Sequence, residues 1–136
     1  MVIVIDSKEQ ARWRFSCPTV IRSLPTGDYS IEGQETSICI ERKSLSDLVK
    51  TVIHDNLRFC KQLRRMAAMD VAAIVVEAPV TALFERQYPG DALPQSVRGK
   101  LNAIFLDFGV PTIWLDNRET AAAWVENLFD LYLGRK

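Results

Sequence analysis

Three residues set the chemical question. Asp28 stands just ahead of a short apolar run, and Glu41 and Lys43 close a second one, in a segment that reads Gly27-Asp28-Tyr29 and then Ile40-Glu41-Arg42-Lys43. Carboxylates are hard oxygen donors suited to Mg²⁺ or Mn²⁺, and such a cation polarises a phosphoryl oxygen and stabilises charge on a leaving oxygen. A lysine beside them adds a compact positive charge able to orient water against phosphate. The set suits hydrolysis of a phosphodiester. Taken alone, Asp followed by Glu-x-Lys fits a solvated strand end equally well, so the elements that carry these residues must decide.

Tyr29–Ile31 and Ile38–Ile40 flank a polar, Gly-containing turn, the pattern of an antiparallel hairpin. A turn centred between Gln34 and Glu35 puts Ile31 opposite Ile38 and Asp28 opposite Glu41. Facing side chains have Cβ atoms about 4.5–5.5 Å apart, so both carboxylates can reach one cation. Strand alternation places Glu41 and Lys43 on one face. Beyond the hairpin, Ser44-Leu45-Ser46-Asp47 has the spacing of a helix cap, predicting a helix from Ser44 to about His54. A second helix is expected from Asn56 through Met69, with Phe59, Leu63 and Met66 facing the core. Arg58, Gln62 and Arg65, with Lys61 beside them, form another stripe on it; pattern alone fits a solvated face or a phosphate track.

The apolar runs Val2–Ile5 and Val71–Val76 end in Asp6 and Glu77 and suit central strands, Glu77 fitting a part in the site or a structural hydrogen bond. Pro94–Phe108 and Glu119–Leu133 read as helices, Gly109-Val110-Pro111 stops the first, and Thr112–Leu115 reads as a strand. Glu85–Gln95, interrupted by Pro and Gly, reads as a long loop. Strands flanked by helices define an α/β layered domain.

The 136 residues, 48% hydrophobic and 25% charged, match one soluble domain. No apolar stretch approaches 18 residues and no basic run precedes a cleavable segment, so neither membrane insertion nor export is expected. Cys17, Cys39 and Cys60 form no metal-spaced pair and suit a reducing interior. The lone His54 reads as a helix-end residue, and no His-metal chemistry is expected. Net charge is zero, but residues 1–68 carry 11 basic and 8 acidic side chains while residues 69–136 carry 6 and 9, so a polyanion should meet the first half.

The stretches Val4-Ile5-Asp6-Ser7-Lys8-Glu9, Leu24-Pro25-Thr26-Gly27-Asp28-Tyr29, Ile40 through Asp47, Arg58 through Gln62, and Val75-Val76-Glu77, in that order, resemble the ERCC4-type nuclease domain of the XPF/MUS81 group. The resemblance spans nearly the whole chain and weakens after about Ala78. It implies a restriction-endonuclease-like, three-layer α/β domain over residues 1–136, with a central mixed sheet flanked by helices. It implies a divalent-metal-dependent DNA endonuclease using Mg²⁺ or Mn²⁺ on branched, flapped or forked duplex DNA. By the same resemblance Asp28 and Glu41 are metal ligands, joined by the Arg42 backbone carbonyl, Lys43 is the catalytic lysine, Asp6 and Glu9 are candidates for a second metal, and Asp47 is the last acidic motif residue. Arg42 also lends its side chain to the site's architecture or to phosphate. Arg58 and Gln62 match the family's helical pair beside the cleft, and Lys61 and Arg65 extend the DNA-facing stripe.

Lys8 stands where the family motif has arginine, keeping the charge but losing the planar fork. Only 20 residues separate Asp6 from Gly27, so the helix of larger relatives is reduced or absent there, and Trp13 and Phe15 are expected to cover the sheet. The compact form looks more like a phage or bacterial relative than a large eukaryotic repair subunit, which predicts a cytoplasmic location in a bacterial or phage-infected cell, or a nuclear one for an excised eukaryotic domain. A homodimer is expected through Thr112–Leu133, with Ala121, Val125, Leu128 and Tyr132 as one stripe and Trp124, Phe129 and Leu131 widening it. The alternatives are a catalytically silent DNA-binding or scaffolding version of the fold, and an accessory that binds only protein.

Overall fold

The computed structural model describes all residues, 1–136. The strands are β1 (Ile3–Asp6), β2 (Thr19–Arg22), β3 (Tyr29–Ile31), β4 (Ile38–Lys43), β5 (Val71–Glu77) and β6 (Thr112–Leu115). The helices are α1 (Leu45–His54), α2 (Asn56–Ala67), α3 (Val80–Phe84), α4 (Pro94–Phe108) and α5 (Arg118–Gly134). One six-stranded sheet runs β2-β1-β3-β4-β5-β6, with β3 antiparallel to both its neighbours and every other pairing parallel. The carboxyl ends of β1, β4, β5 and β6 therefore share one edge, where Asp6, Lys43, Glu77 and the start of α5 collect.

Both faces of the sheet are covered, which is why its central strands are apolar without alternation. On one face Cys39, Ile74 and Val76 pack with Leu48, Val52, Phe59, Leu63, Met66, Val97, Leu101 and Ile104 from α1, α2 and α4. On the other, Ile3, Ile5, Ile38, Ile40 and Val75 pack with Ala121, Val125 and Phe129 of α5 and with Trp13. This is the mixed sheet between two helical layers that the resemblance implies.

Ser44 caps α1 as its spacing predicts, its hydroxyl accepting the Asp47 N–H at 3.1 Å, and α1 ends at His54. Phe59, Leu63 and Met66 are the buried residues of α2. Two elements differ from expectation. The strand β2 lies between Asp6 and Gly27, where its exposed edge position leaves it without an apolar alternation to read. The helix α3 precedes the long loop and spans a single turn, too short for a periodic signal. In that interval Trp13 does cover the sheet, stacked 4.5 Å from Tyr29 with its ring nearly parallel. The outward apolar surface expected on α5 is largely absent: Phe129 is fully buried, and Trp124, Leu128 and Tyr132 pack partly against the protein's own core. Leu131 is the large apolar residue of α5 that remains half exposed. The reason is the sheet's second face, which needs nearly the whole apolar girth of α5. No helix is long and apolar enough to cross a membrane.

Candidate active site

The hairpin builds the centre. Tyr29 pairs with Ile40, the Asp28 N–H just ahead of β3 donates to the Ile40 carbonyl at 2.8 Å, and the Asp28 side chain meets that of Glu41. Gly27 makes the approach possible. Its φ is +82°, and a Cβ there would lie 2.9 Å from Cys39 Cβ and 3.2 Å from the Ile40 carbonyl oxygen. Only glycine avoids both the left-handed strain and the clash. The Asp28 carboxylate is then aimed by the Arg42 N–H, which donates to its Oδ2 at 2.8 Å.

Asp28 and Glu41 stand within hydrogen-bonding reach of each other in a largely buried setting. Burial first, and then the Glu41 charge, push the Asp28 carboxyl up to about 8. Burial likewise raises Glu41, against the lowering effect of Lys43 and Gln62. Two buried carboxyls with little neutralising charge cannot both ionise comfortably. Lys43 is the near cation, its Nζ 3.6 Å from Glu41 Oε2 and 5.7 Å from the Phe59 ring centre. Alternation along β4 brings it there, as expected.

A second ionic cluster adjoins this one and is far better satisfied. Arg42 Nε donates to Glu77 Oε1 at 2.5 Å, Arg42 Nη2 to Glu77 Oε2 at 3.2 Å, and Arg42 Nη1 lies 3.5 Å from Glu9 Oε1. The Trp13 indole N–H also donates to Glu77. Burial pushes the Glu77 carboxyl up, yet the hydrogen bonds from Arg42 and Trp13 outweigh it and hold the carboxyl below its ordinary range. The Arg42 side chain is thus committed to architecture, and its fork is occupied.

The sequence-derived set divides accordingly. Glu41, Lys43, Arg58 and Gln62 line one polar cavity of about 320 Å³ together with Thr51, Asp55 and Phe59. Asp28 joins that group through Glu41. Asp6 spends both oxygens on backbone amides, Oδ1 accepting the Leu24 N–H at 2.8 Å and Oδ2 the Lys8 N–H at 3.1 Å. Glu9 faces Arg42. Asp47 is exposed at the start of α1, and Lys61 and Arg65 project from α2 outside the cavity. Sequence reasoning gave Gly27, Trp13 and Asp55 no part in the site. The positive φ of Gly27 was hinted at by its place in Pro25-Thr26-Gly27-Asp28, whereas the Trp13 contact to Glu77 has no local signal.

No three His, Cys, Asp or Glu side chains converge as a metal cage. The two carboxyls that do converge, Asp28 and Glu41, fit the demands of Mg²⁺ or Mn²⁺, which retain several waters and need only one or two protein carboxylates.

Mixed sheet, three layers and a carboxylate–lysine cluster on a central hairpin, at the carboxyl end of β4, have the form of a restriction-endonuclease-like α/β domain of the ERCC4/XPF architecture. The chain belongs to the ERCC4 domain family, whose model matches residues 5–128. It is similar in structure to XPF from Aeropyrum pernix, with a TM-score of 0.78 and 25% identity over 98% of this chain and 65% of that one. A second structure of that protein, in complex with DNA, matches with a TM-score of 0.72 and 24% identity over 99% of this chain and 66% of that one. A Methanocaldococcus jannaschii protein described as an ATP-dependent RNA helicase is 28% identical over 123 residues, 90% of this chain and 14% of its own length. The chain thus spans under two thirds of these relatives, and a small part of the helicase.

Proposed function

We propose that the protein is a divalent-metal-dependent DNA endonuclease that hydrolyses phosphodiester bonds in branched, flapped or forked duplexes. The observation that carries this reading is the Asp28–Glu41 pair. A fold that drives two carboxyls together, buries them and leaves Lys43 as the near counter-charge has accepted an electrostatic cost that a bound cation relieves. Mg²⁺ or Mn²⁺ held by Asp28, Glu41 and the Arg42 carbonyl would supply Lewis-acid polarisation of the phosphate. Glu41 anchors Lys43, and Lys43 presents positive charge to water and phosphate. Arg58 and Gln62 line the same cavity and hold the sugar-phosphate backbone against it. Membership of the ERCC4 family and the DNA-bound state of the XPF relative support DNA as the polymer.

The test is incubation with labelled flap, fork, nicked and linear duplexes in Mg²⁺ or Mn²⁺, beside Asp28→Ala. Cleavage by the wild type and none by the variant is expected. No cleavage of any substrate by a folded wild type would leave the silent, DNA-binding version of the fold.

One further observation favours a homodimer, through a different surface from α5. Val80, Phe84 and Phe105 are each two fifths or more exposed around a groove of about 380 Å³ that also includes Leu101 and Trp114, beside the unpaired edge of β6. Thr112, whose hydroxyl lacks a hydrogen-bond partner in the protein, lines it too. A second copy would cover both the apolar groove and the strand edge. Sedimentation equilibrium should show a micromolar dimer that Phe105→Glu dissociates and Leu131→Glu does not; a monomer throughout that range rejects it.

A further inference from the structure

The polar cavity beside α2 lies on one helical layer, yet an unassigned cationic surface lies on the other. Residues 9–16 run as a strap from Glu9 across the α5 face of the sheet. Trp13 anchors it: the ring stacks on Tyr29 at 4.5 Å, the backbone N–H donates to the Tyr29 hydroxyl at 2.9 Å, and the indole donates to Glu77. With Trp13 buried, the flanking Arg12 and Arg14 are both exposed. Arg118, at the start of α5, draws the strap in by donating from Nη2 to the carbonyls of Ala11 at 2.8 Å and Arg12 at 2.7 Å.

The three arginines line a cavity of about 240 Å³ with Glu119 and Ala122. None of them has an acidic side chain within ion-pair distance. Glu119 is the one carboxylate in the lining, and nearby Glu126 is taken by Ser16, whose N–H donates to it at 2.7 Å. Arg14 also borders a neighbouring cavity lined by Glu119, Glu126 and Asp130, and Arg118 lies near Glu77. Yet none of the three guanidinium groups is paired by a carboxylate, in a chain whose net charge is zero. Like charges gathered without partners raise the energy of the free protein, and a polyanion relieves it. Guanidinium forks match phosphate oxygens in particular.

The cluster is also placed for the reaction edge. The Ala11 N–H donates to Glu9 at 3.3 Å, and Arg118 is close enough that its charge helps hold Glu77 low. Glu77 in turn holds Arg42, whose N–H aims Asp28. The carboxylate centre thus sits between α2 on one side of the sheet and the arginine strap on the other.

We propose that Arg12, Arg14 and Arg118 form a second phosphate-contact surface, so that a DNA duplex straddles the sheet edge with its backbone held by α2 on one face and by the strap on the other. This rests on DNA being the substrate polymer, and the test separates the two ideas. Binding of a fluorescein-labelled duplex is followed by anisotropy in EDTA from 50 to 200 mM KCl for the wild type, Arg12→Glu/Arg14→Glu, Arg12→Ala/Arg14→Ala, and a control with the same charge change elsewhere, Lys100→Glu/Arg135→Glu. Arg118 is left intact because it holds the strap. The expected result is a tenfold or greater affinity loss for the Glu pair at 50 mM KCl, and a slope of log K against log salt reduced by about 2 in the Ala pair, one per phosphate contact. The control should lose much less. A wild type that binds while the Ala pair keeps its affinity and slope, or a control that loses as much as the Glu pair, overturns the strap surface alone. A wild type that binds no duplex overturns the DNA reading with it. Thermal melts of each variant, which carry changes only at exposed side chains, verify the fold.

Discussion

Two ionic clusters lie side by side at the carboxyl edge of the sheet and behave in opposite ways. Around Glu77, acid and base alternate: Arg42 grips it with two N–H groups, Trp13 adds a third donor, and Glu9 takes the remaining side of Arg42. Around Asp28, acid meets acid, and burial leaves both carboxyls above their ordinary range. The first arrangement explains itself as structure. The second is an imbalance that a retained proton or a bound cation relieves, and the satisfied cluster holds it in place through the Arg42 backbone. On the proposed function, the contrast separates a positioning unit from a reacting one.

The largest effect expected lies in the unbalanced cluster. Asp28→Asn or Glu41→Gln should lower cleavage of labelled duplex at least about a thousandfold, roughly 4 kcal/mol of barrier, with an unchanged circular dichroism spectrum. Wild-type turnover in either variant would remove the distinction between the clusters.

The balanced cluster should answer in stability. Glu77→Ala leaves the Arg42 guanidinium partly buried with only Glu9 near it and should cost about 3 kcal/mol in a urea melt. The pair Arg42→Met/Glu77→Leu should recover most of that, since an uncompensated charge, and not a lost attraction, is what destabilises. Failure of the pair to recover would mean that the ion pair has a role beyond its own neutrality.

pH sharpens the contrast. Raised carboxyls make the folded chain hold protons that the unfolded chain has released, so their contribution to stability is complete below the unfolded value near pH 4 and is lost as pH rises towards the Asp28 value of about 8. In EDTA the melting temperature should fall between pH 5 and 8. Asp28→Asn should flatten that slope and gain roughly 1–3 kcal/mol at pH 8. A lowered Glu77 works in the other direction, its contribution present above the unfolded value and lost as pH falls through the folded one, so Glu77→Gln should lower stability at neutral pH and flatten the acid limb, leaving the fall between pH 5 and 8 in place.

The smallest effect belongs to a side chain outside both clusters. Arg58→Ala should weaken duplex binding only a few-fold and reduce the salt slope by about 1, equally for linear and branched DNA, because a backbone contact carries no base information. A strong preference for one substrate in that variant would assign Arg58 a part in shape recognition.

Local patterns account for much of what was legible. The turn around Gln34 and Glu35 gave the pairing of Tyr29 with Ile40, and from it the meeting of the Asp28 and Glu41 side chains was legible. Ser44 and Asp47 marked the start of α1, and the spacing of Phe59, Leu63 and Met66 marked the inner face of α2. The misreadings share a cause. An edge strand such as β2 and a one-turn helix such as α3 have no period to detect, and the apolar girth of α5 reads alike whether it meets a partner or the chain's own sheet.

The amino-acid sequence by itself determined the hairpin, its facing carboxylates and the lysine beside them, because strand alternation and turn length act between near neighbours. Only the tertiary structure decided that Arg42 turns from phosphate to Glu77, that Trp13 reaches the same carboxylate from 64 positions away, and that Arg118 gathers Arg12 and Arg14 into one surface from the far end of the chain. Those contacts join segments brought together by sheet order. A charged side chain's partner is chosen by that order and by burial, and neither leaves a periodic trace along the chain.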